Sequence, residues 1–268
     1  MNYQFSNSGD YHNYTAYRSS PLHRNRLGAI IDMLASRFPD PKQTSVLDIG
    51  CGTGNITSPV AALGYNVRGI DIHEGSIEAA RKHTPFPNAH FDTASLQDID
   101  LSGFNAIILT EVLEHVDEAD KLLTHIASNI SPGALFILTV PNGWSIVEIA
   151  CRPSYILKRS KVGAHLVKAI KSILGSKDLT TANEQTPHVQ FFTLSRLNCL
   201  FRKNGLRICY SHAFFFAWSF WEVFFTQRCS ETWARRDFLL ASHLPEKLRA
   251  VWCFGLERQG QIVGVRHP

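Results

Sequence analysis

Residues 46–54 read VLDIGCGTG, and residues 67–71 read VRGID. An apolar run, three glycines at alternate positions, a helix-compatible stretch and a second apolar run ending in a carboxylate describe a strand, a tight turn, a helix and a strand in succession. Gly50, Gly52 and Gly54 let the chain turn sharply and let a ligand lie against bare backbone where a helix begins. Asp71 falls near the distance, about 20 residues on, at which an acid bonds the ribose of a bound nucleotide. The glycine spacing narrows the ligand. A dinucleotide fingerprint, G-x-G-x-x-G, needs glycine at position 55, where this chain has Asn55. Asp48, inside the strand end, would repel a pyrophosphate lying over the turn, yet it can accept hydrogen bonds from an ammonium group. A ligand with a ribose and a cationic amino-acid end fits both observations.

Outward from this motif, strand and helix patterns alternate from Thr44 to Asn142. VLDIG, a helix over 56–63, VRGID, a helix over 76–83, AHFDT, AIILT, a helix over 118–129 and ALFILTV follow one another. Alternation of this kind predicts a parallel sheet covered on both faces, with the ligand outside the carboxyl ends of the strands. Gly50, Asp71, Asp92 and Glu111 all fall at that edge. An amphipathic helix, LHRNRLGAIIDMLASRF, precedes the first strand and is stopped by Pro39 and Pro41.

Asp48, Gly50, Gly52 and Gly54, with Asp71, resemble the first two motifs of the class I S-adenosylmethionine-dependent methyltransferases. The resemblance covers roughly residues 20–210: HFDTASLQD, FNAIILTEVLEHV, PGALFILTVPN and HVQFFTLSRLNCLFRKNGLRI are similar to later segments of that family, in order. It implies a Rossmann-like, doubly wound, mostly parallel seven-stranded α/β sheet with helices on both faces, an antiparallel last strand and helical insertions. It also implies S-adenosylmethionine as cofactor, held around Asp48, Gly50, Cys51, Gly52, Gly54, Asp71, Ile72, Asp92, Thr93, Ala94, Thr110 and Glu111, with Asp92 bonding the adenine amino group. PLHRNRLGAII is similar to the segment of the ubiquinone-pathway O-methyltransferases in which an arginine bonds the cofactor's carboxylate. Arg26 is the matching residue, and an ordinary surface helix charge is the competing reading.

Acceptor activation has one candidate constellation. Glu111, Glu114 and His115 stand at i, i+3 and i+4, so a helix beginning near Glu111 would project them from one face. Such a face could grip a divalent ion, Mg2+ or Mn2+, that lowers the pKa of a substrate hydroxyl. The E-x-x-E-H string resembles the ubiquinone-pathway O-methyltransferases and also the small-RNA 2′-O-methyltransferases. In the latter a later histidine completes a Mg2+ site; His188 is the matching residue and His165 the competitor. The other reading makes Glu111, His115 and His188 catalytic without metal, His115 packing near the methyl donor or acting as general base. Mg2+ prefers oxygen ligands, which weighs against the ion.

The rest of the chain bounds the answer. At 268 residues and 44% hydrophobic content one methyltransferase domain is expected. Its parts are an N-terminal cap and helix over 1–43, a cofactor-binding core over 44–142, a basic insertion or lid over 143–187, and the C-terminal half of the sheet over 188–268 with an aromatic helical excursion at 213–249. The six cysteines contain no C-x-x-C pair, which points to reduced thiols rather than zinc or disulfides. The polar N-terminus has no apolar core of a signal peptide, and Tyr11, His12 and Tyr14 are placed to close over the site. A cytoplasmic enzyme is expected.

In the insertion, Arg152, Lys158, Arg159, Lys161, Lys168, Lys171 and Lys177 interleave with apolar residues. This is a solvated lid helix, or a surface for peripheral contact with anionic lipid, RNA backbone or an acidic substrate. AFFFAWSFWEVFF, residues 213–225, is too short to span a bilayer and reads as a buried cluster, a homodimer face or a substrate channel. The net charge of +4 does not by itself imply nucleic acid. The expected function is methyl transfer to a hydroxyl of a small aromatic, prenylated or sugar-like acceptor. RNA 2′-O-methylation and a non-catalytic cofactor-binding subunit are the alternatives.

Overall fold

The computed structural model describes residues 21–146, 148–149, 165, 188–215 and 231–259. Tyr11, His12 and Tyr14, the basic residues of the insertion, and residues 216–225 of the aromatic stretch lie outside the described residues.

Seven strands form one sheet: β1 Ser45–Ile49, β2 Asn66–Asp71, β3 Ala89–Thr93, β4 Ala106–Thr110, β5 Leu135–Pro141, β6 Leu206–Phe214 and β7 Val251–Arg258, in the order β3-β2-β1-β4-β5-β7-β6. Strands β1 to β5 pair in parallel; β7 runs antiparallel between β5 and β6. This is the sheet that the alternating sequence pattern predicts, with the strand order reversing at β1.

The strands alternate between two cores because their side chains do. Val46, Ala106, Ile108, Leu135 and Ile137 enter a core with α1 (Pro21–Arg37), α2 (Thr57–Ala62) and α6 (Glu231–His243). Leu47, Ile49, Ile107, Leu109, Phe136 and Leu138 enter the opposite core with α4 (Ala119–Asn129) and α5 (Leu194–Lys203). The period of two, with both faces apolar, is why the central strands read as unbroken hydrophobic runs. On the β3 side, Ile77 and Ala80 of α3 (Glu74–His83) pack with Cys51 and Phe91. No described helix is long and apolar enough to cross a membrane.

The described start of the aromatic stretch is core. Phe214 ends β6 and Phe215, at φ 54°, is fully buried against Phe238 of α6. β5 is joined to its surroundings by Asn142, which is 1% exposed. Its N–H donates to Ala250 O at 2.8 Å, its Nδ2 donates to Lys247 O at 3.0 Å and Arg249 O at 2.8 Å, and its Oδ1 accepts from Trp144 N at 2.9 Å. Asn142→Ala removes the three side-chain hydrogen bonds to Lys247, Arg249 and Trp144, so the expected loss is about 2–3 kcal/mol of unfolding free energy. A urea titration checks it as a lower midpoint at unchanged slope.

Candidate active site

The turn after β1 is left-handed at all three glycines, with φ of 69°, 53° and 81° at Gly50, Gly52 and Gly54. Their roles differ. A Cβ on Gly50 would come 2.6 Å from Val112 Cγ2, and one on Gly54 3.0 Å from Phe91 Cζ, whereas one on Gly52 would meet nothing within 4 Å. Bare backbone toward open space is thus offered at Gly52. The amide of Gly52 donates to Asp71 Oδ2 and that of His73 to Asp71 Oδ1, both at 2.9 Å, so the β2 carboxylate is held in place by two backbone donors. Beneath the turn, Asp48 is fully buried; Thr57 Oγ1 donates to its Oδ2 at 2.6 Å while its Oδ1 has no hydrogen-bond partner. Asn55 Oδ1 is likewise buried without a partner. Burial pushes the Asp48 carboxyl up to about 7, against the Thr57 hydrogen bond that pulls it down. Two unpartnered acceptors under a glycine turn that is sterically open at Gly52 fit a ligand that brings donors, as the ammonium and hydroxyl groups of S-adenosylmethionine do.

The segment after β4 departs from the expected helix. Glu111 has φ 54°, and a 3-10 turn covers Leu113–His115, so Glu111, Glu114 and His115 do not share a helix face. Glu111 turns to Arg26 of α1: Arg26 Nη1 lies 3.1 Å from Glu111 Oε1, which also accepts from Thr139 Oγ1 at 2.9 Å. Arg26 is 2% exposed, and its Nη2 lies 2.6 Å from His23 Nδ1. Burial and then the Arg26 charge lower the His23 imidazole to about 2, which makes it the neutral acceptor of that bond. Glu111, expected in the metal set, lies outside the group formed by Glu114, His115 and His188, and its Oε1 pairs with Arg26 and Thr139. Arg26 is no surface charge either.

A late segment completes the site. The carbonyl of Glu114 accepts the amides of Val189 at 2.9 Å and Gln190 at 3.1 Å, and Gln190 Nε2 donates to the carbonyls of Val116 and Asp117 at 2.5 and 2.7 Å. Arg196 holds the other end of the Gln190 carboxamide and stacks over Phe192 at 4.7 Å. This strap brings the His188 ring edge-on to His115 at 5.0 Å between centroids. Ligand atoms of Glu114, His115 and His188 all lie within 4.8 Å of one another. Glu114 is 1% exposed and neither carboxylate oxygen has a hydrogen-bond partner. Burial first and the Glu111 charge second push its carboxyl well above the ordinary range, His188 pulling the other way. His188 is held above its ordinary value: burial lowers it, but Glu148, Glu114 and Glu111 outweigh that. Glu148, 2% exposed, meets His188 Nδ1 at 3.3 Å through Oε1 and 3.4 Å through Oε2.

Of the other expected residues, Cys51 is buried under the turn and Ile72 is exposed beside Asp71. Thr110 pairs with Thr139 across β4 and β5, Thr93 with Asp71 across β3 and β2, and Ala94 N donates to Asp71 O at 3.1 Å. Asp92 Oδ2 accepts from Arg68 Nε at 2.7 Å. His165 is exposed and outside the group of three. The sequence reading missed Thr57, Thr139, Gln190 and Glu148. It also missed Gly69, where a Cβ would come 2.8 Å from Cys51 Sγ and 2.9 Å from Thr57 Oγ1. Glu148 alone carried a signal, as an isolated acid in the apolar run SIVEIA.

A methyltransferase domain family matches residues 22–211. A ubiquinone biosynthesis O-methyltransferase of Mesorhizobium japonicum is 32% identical over 182 residues, 60% of this chain and 73% of that protein. Another of the same name, from Rickettsia felis, is 28% identical over 129 residues, 47% of this chain; the match spans about half of the Rickettsia protein, 52%. Among solved structures, magnesium protoporphyrin IX methyltransferase from Synechocystis with bound SAH superposes with a TM-score of 0.54 at 16% identity, covering 88% of this chain and 83% of that one. The chain belongs to the class I S-adenosylmethionine-dependent methyltransferases.

The buried acid under the turn has a measurable consequence. Unfolded Asp48 ionises near 3.8 and folded Asp48 near about 7, so between those values the unfolded state binds fewer protons and stability falls as pH rises. Asp48→Asn removes this contribution. Urea unfolding of the cofactor-free variant is expected to lose less stability than the wild type across that window; an equal loss in both proteins would show that Asp48 ionises normally.

Proposed function

We propose that the protein transfers the methyl group of S-adenosylmethionine to a hydroxyl oxygen of a small aromatic, prenylated or sugar-like acceptor. The observation that carries this reading is the buried group Glu114, His115 and His188 at the end of β4, beside the glycine turn of β1. The O-methyltransferase names of the relatives support oxygen as the accepting atom.

In this reading Asp71, fixed by Gly52 and His73, takes the ribose hydroxyls. Asp48 Oδ1 faces the ammonium end, and Ile72 offers an apolar surface to the base. When bound, S-adenosylmethionine supplies a methyl group made electrophilic by its sulfonium. The residues here then have two tasks. One is to hold the acceptor oxygen in line with the methyl group, which can be worth up to about 7–11 kcal/mol. The other is to accept the hydroxyl proton, a task for an imidazole of His115 or His188.

A divalent ion is the second reading, favoured by the mutual approach of Glu114, His115 and His188 within 4.8 Å. Two imidazoles and one carboxylate suit Mn2+ better than Mg2+. Bound there, the ion would lower the pKa of the acceptor hydroxyl, with Glu114 supplying its negative charge.

His115→Ala is expected to abolish turnover while cofactor affinity, measured by calorimetry, stays within about threefold, the small change that suits a group outside the cofactor's contacts. Unchanged turnover at saturating cofactor would sink the assignment. Acceptor pools of catechols, prenylated phenols, sugar nucleotides and short RNAs, run with Mn2+ or Mg2+ and again with EDTA, separate the readings. Product that survives EDTA leaves the imidazoles as bases; product from RNA alone replaces the small-molecule acceptor.

A further inference from the structure

Glu148 stands in the helical segment that follows the turn after β5, where its amide donates to Ser145 Oγ at 3.2 Å and the amide of Ser145 donates to Asn142 O at 2.8 Å. The turn is thus anchored to the residue that ties β5 to β7. From it the Glu148 carboxylate reaches into the protein and is 2% exposed, among apolar neighbours in sequence. Burying an ionised carboxylate is costly unless it is matched by a partner. Among the described residues His188 is such a partner: its side chain is 6% exposed and its Nδ1 lies 3.3 and 3.4 Å from the two carboxylate oxygens. His188 is also the residue that the Glu114 carbonyl strap carries to His115. The second carboxylate and imidazole, Glu114 and His115, stand 3.8 Å apart, beyond hydrogen-bond range. So the two histidines are not equivalent: a carboxylate at hydrogen-bond range fixes the ring of His188.

We propose that Glu148 is a positioning residue for methyl transfer, holding His188 in the Nδ1–H tautomer so that Nε2 carries the lone pair that takes the acceptor's proton. The proposal rests on the methyltransferase reading above. The acceptor oxygen forms its bond to the methyl carbon as the carbon–sulfur bond breaks, the electron pair remaining on sulfur. The hydroxyl proton passes to His188 Nε2, and the imidazolium that results faces the Glu148 carboxylate, which balances its charge. Orientation of a histidine by a buried carboxylate on its other nitrogen is a general device of proton-transferring and ligand-bearing imidazoles.

The test is side-chain 15N NMR of histidine-labelled protein at alkaline pH, where the ring is neutral, with His188 assigned by its loss in His188→Gln. The wild type is expected to show a single Nδ1–H tautomer at His188. Glu148→Met removes the acceptor and is expected to lose that signature. Its kcat falls about 10- to 100-fold, the usual effect of removing an orienting partner, while KM for S-adenosylmethionine stays unchanged. Glu148→Gln, whose carboxamide can face Nδ1 with either its oxygen or its nitrogen, is expected to show a mixture of tautomers and an intermediate kcat. A wild-type spectrum with wild-type kcat in whichever variant folds overturns the proposal. The NMR signature needs no acceptor, so a failure of the functional reading shows as absent turnover with the tautomer shift intact.

Discussion

Parallel pairing of β1 with β2 on one side and β4 on the other is the constraint on which the site depends. Parallel strands all deliver their carboxyl ends to the same edge, and the order reverses at β1, so the loops leaving β1 and β4 diverge and open a crevice between them. Asp48, Asp71 and Glu111 reach that edge because they stand at the carboxyl ends of β1, β2 and β4, not because they are near in sequence. The same pairing explains the buried Asp48. A strand covered on both faces has no solvent side, and an acid near its end must be satisfied by Thr57 and by whatever lies over the turn.

The second half of the site is added to this frame by a strap rather than by the sheet. Residues 188–192 run past the turn after β4, donating two amide hydrogen bonds to the Glu114 carbonyl and making a side-chain clamp through Gln190, and Asn142 and Phe192 form an isolated parallel bridge. A Cβ on Gly143 would come 2.7 Å from Phe191 Cβ, so glycine is needed there for the two segments to lie together. His188 therefore occupies a position set by backbone hydrogen bonds, and its ring is then set by Glu148. In the proposed transfer the base would thus be positioned by the fold before the acceptor binds, the condition under which geometry contributes most to a bimolecular reaction.

These two halves were not equally legible in the sequence. The strands and their parallel pairing could be read because hydrophobic period and glycine placement are local signals: VLDIG, VRGID and ALFILTV each declare themselves over five to seven residues. Asp71 was legible for the same reason, since it follows the turn at a fixed distance. The E-x-x-E-H string misled by its spacing, because i, i+3 and i+4 imply a common face only if the backbone is helical. The left-handed Glu111 breaks that condition, and Arg26, some 85 residues earlier in the chain by the numbers of the two positions, fixes the outcome. Gln190 carried no signal as a member of the site, and Glu148 only that of an isolated acid in an apolar run, which does not name its partner. Their partners are set by tertiary contacts across the strap, for which no spacing rule exists.

Electrostatics gives the arrangement a direction. Asp48, Asp71, Glu111, Glu114 and Glu148 converge on the crevice, and Arg26 is the strong cation among the described residues seen to balance them, through Glu111. Burial raises the proton affinity of Asp48 and Glu114 when no cationic ligand is present. A ligand carrying positive charge relieves the cost of ionising them, and in a medium of low dielectric that relief is larger than in water. S-adenosylmethionine brings such charge on its ammonium and again on its sulfonium, whereas a dinucleotide would bring the opposite sign. Methyl transfer removes the sulfonium charge and leaves a neutral thioether. The same carboxylates that favour the charged cofactor thus hold its product less strongly. In a crevice this acidic, the sign of the ligand distinguishes what should bind from what should leave.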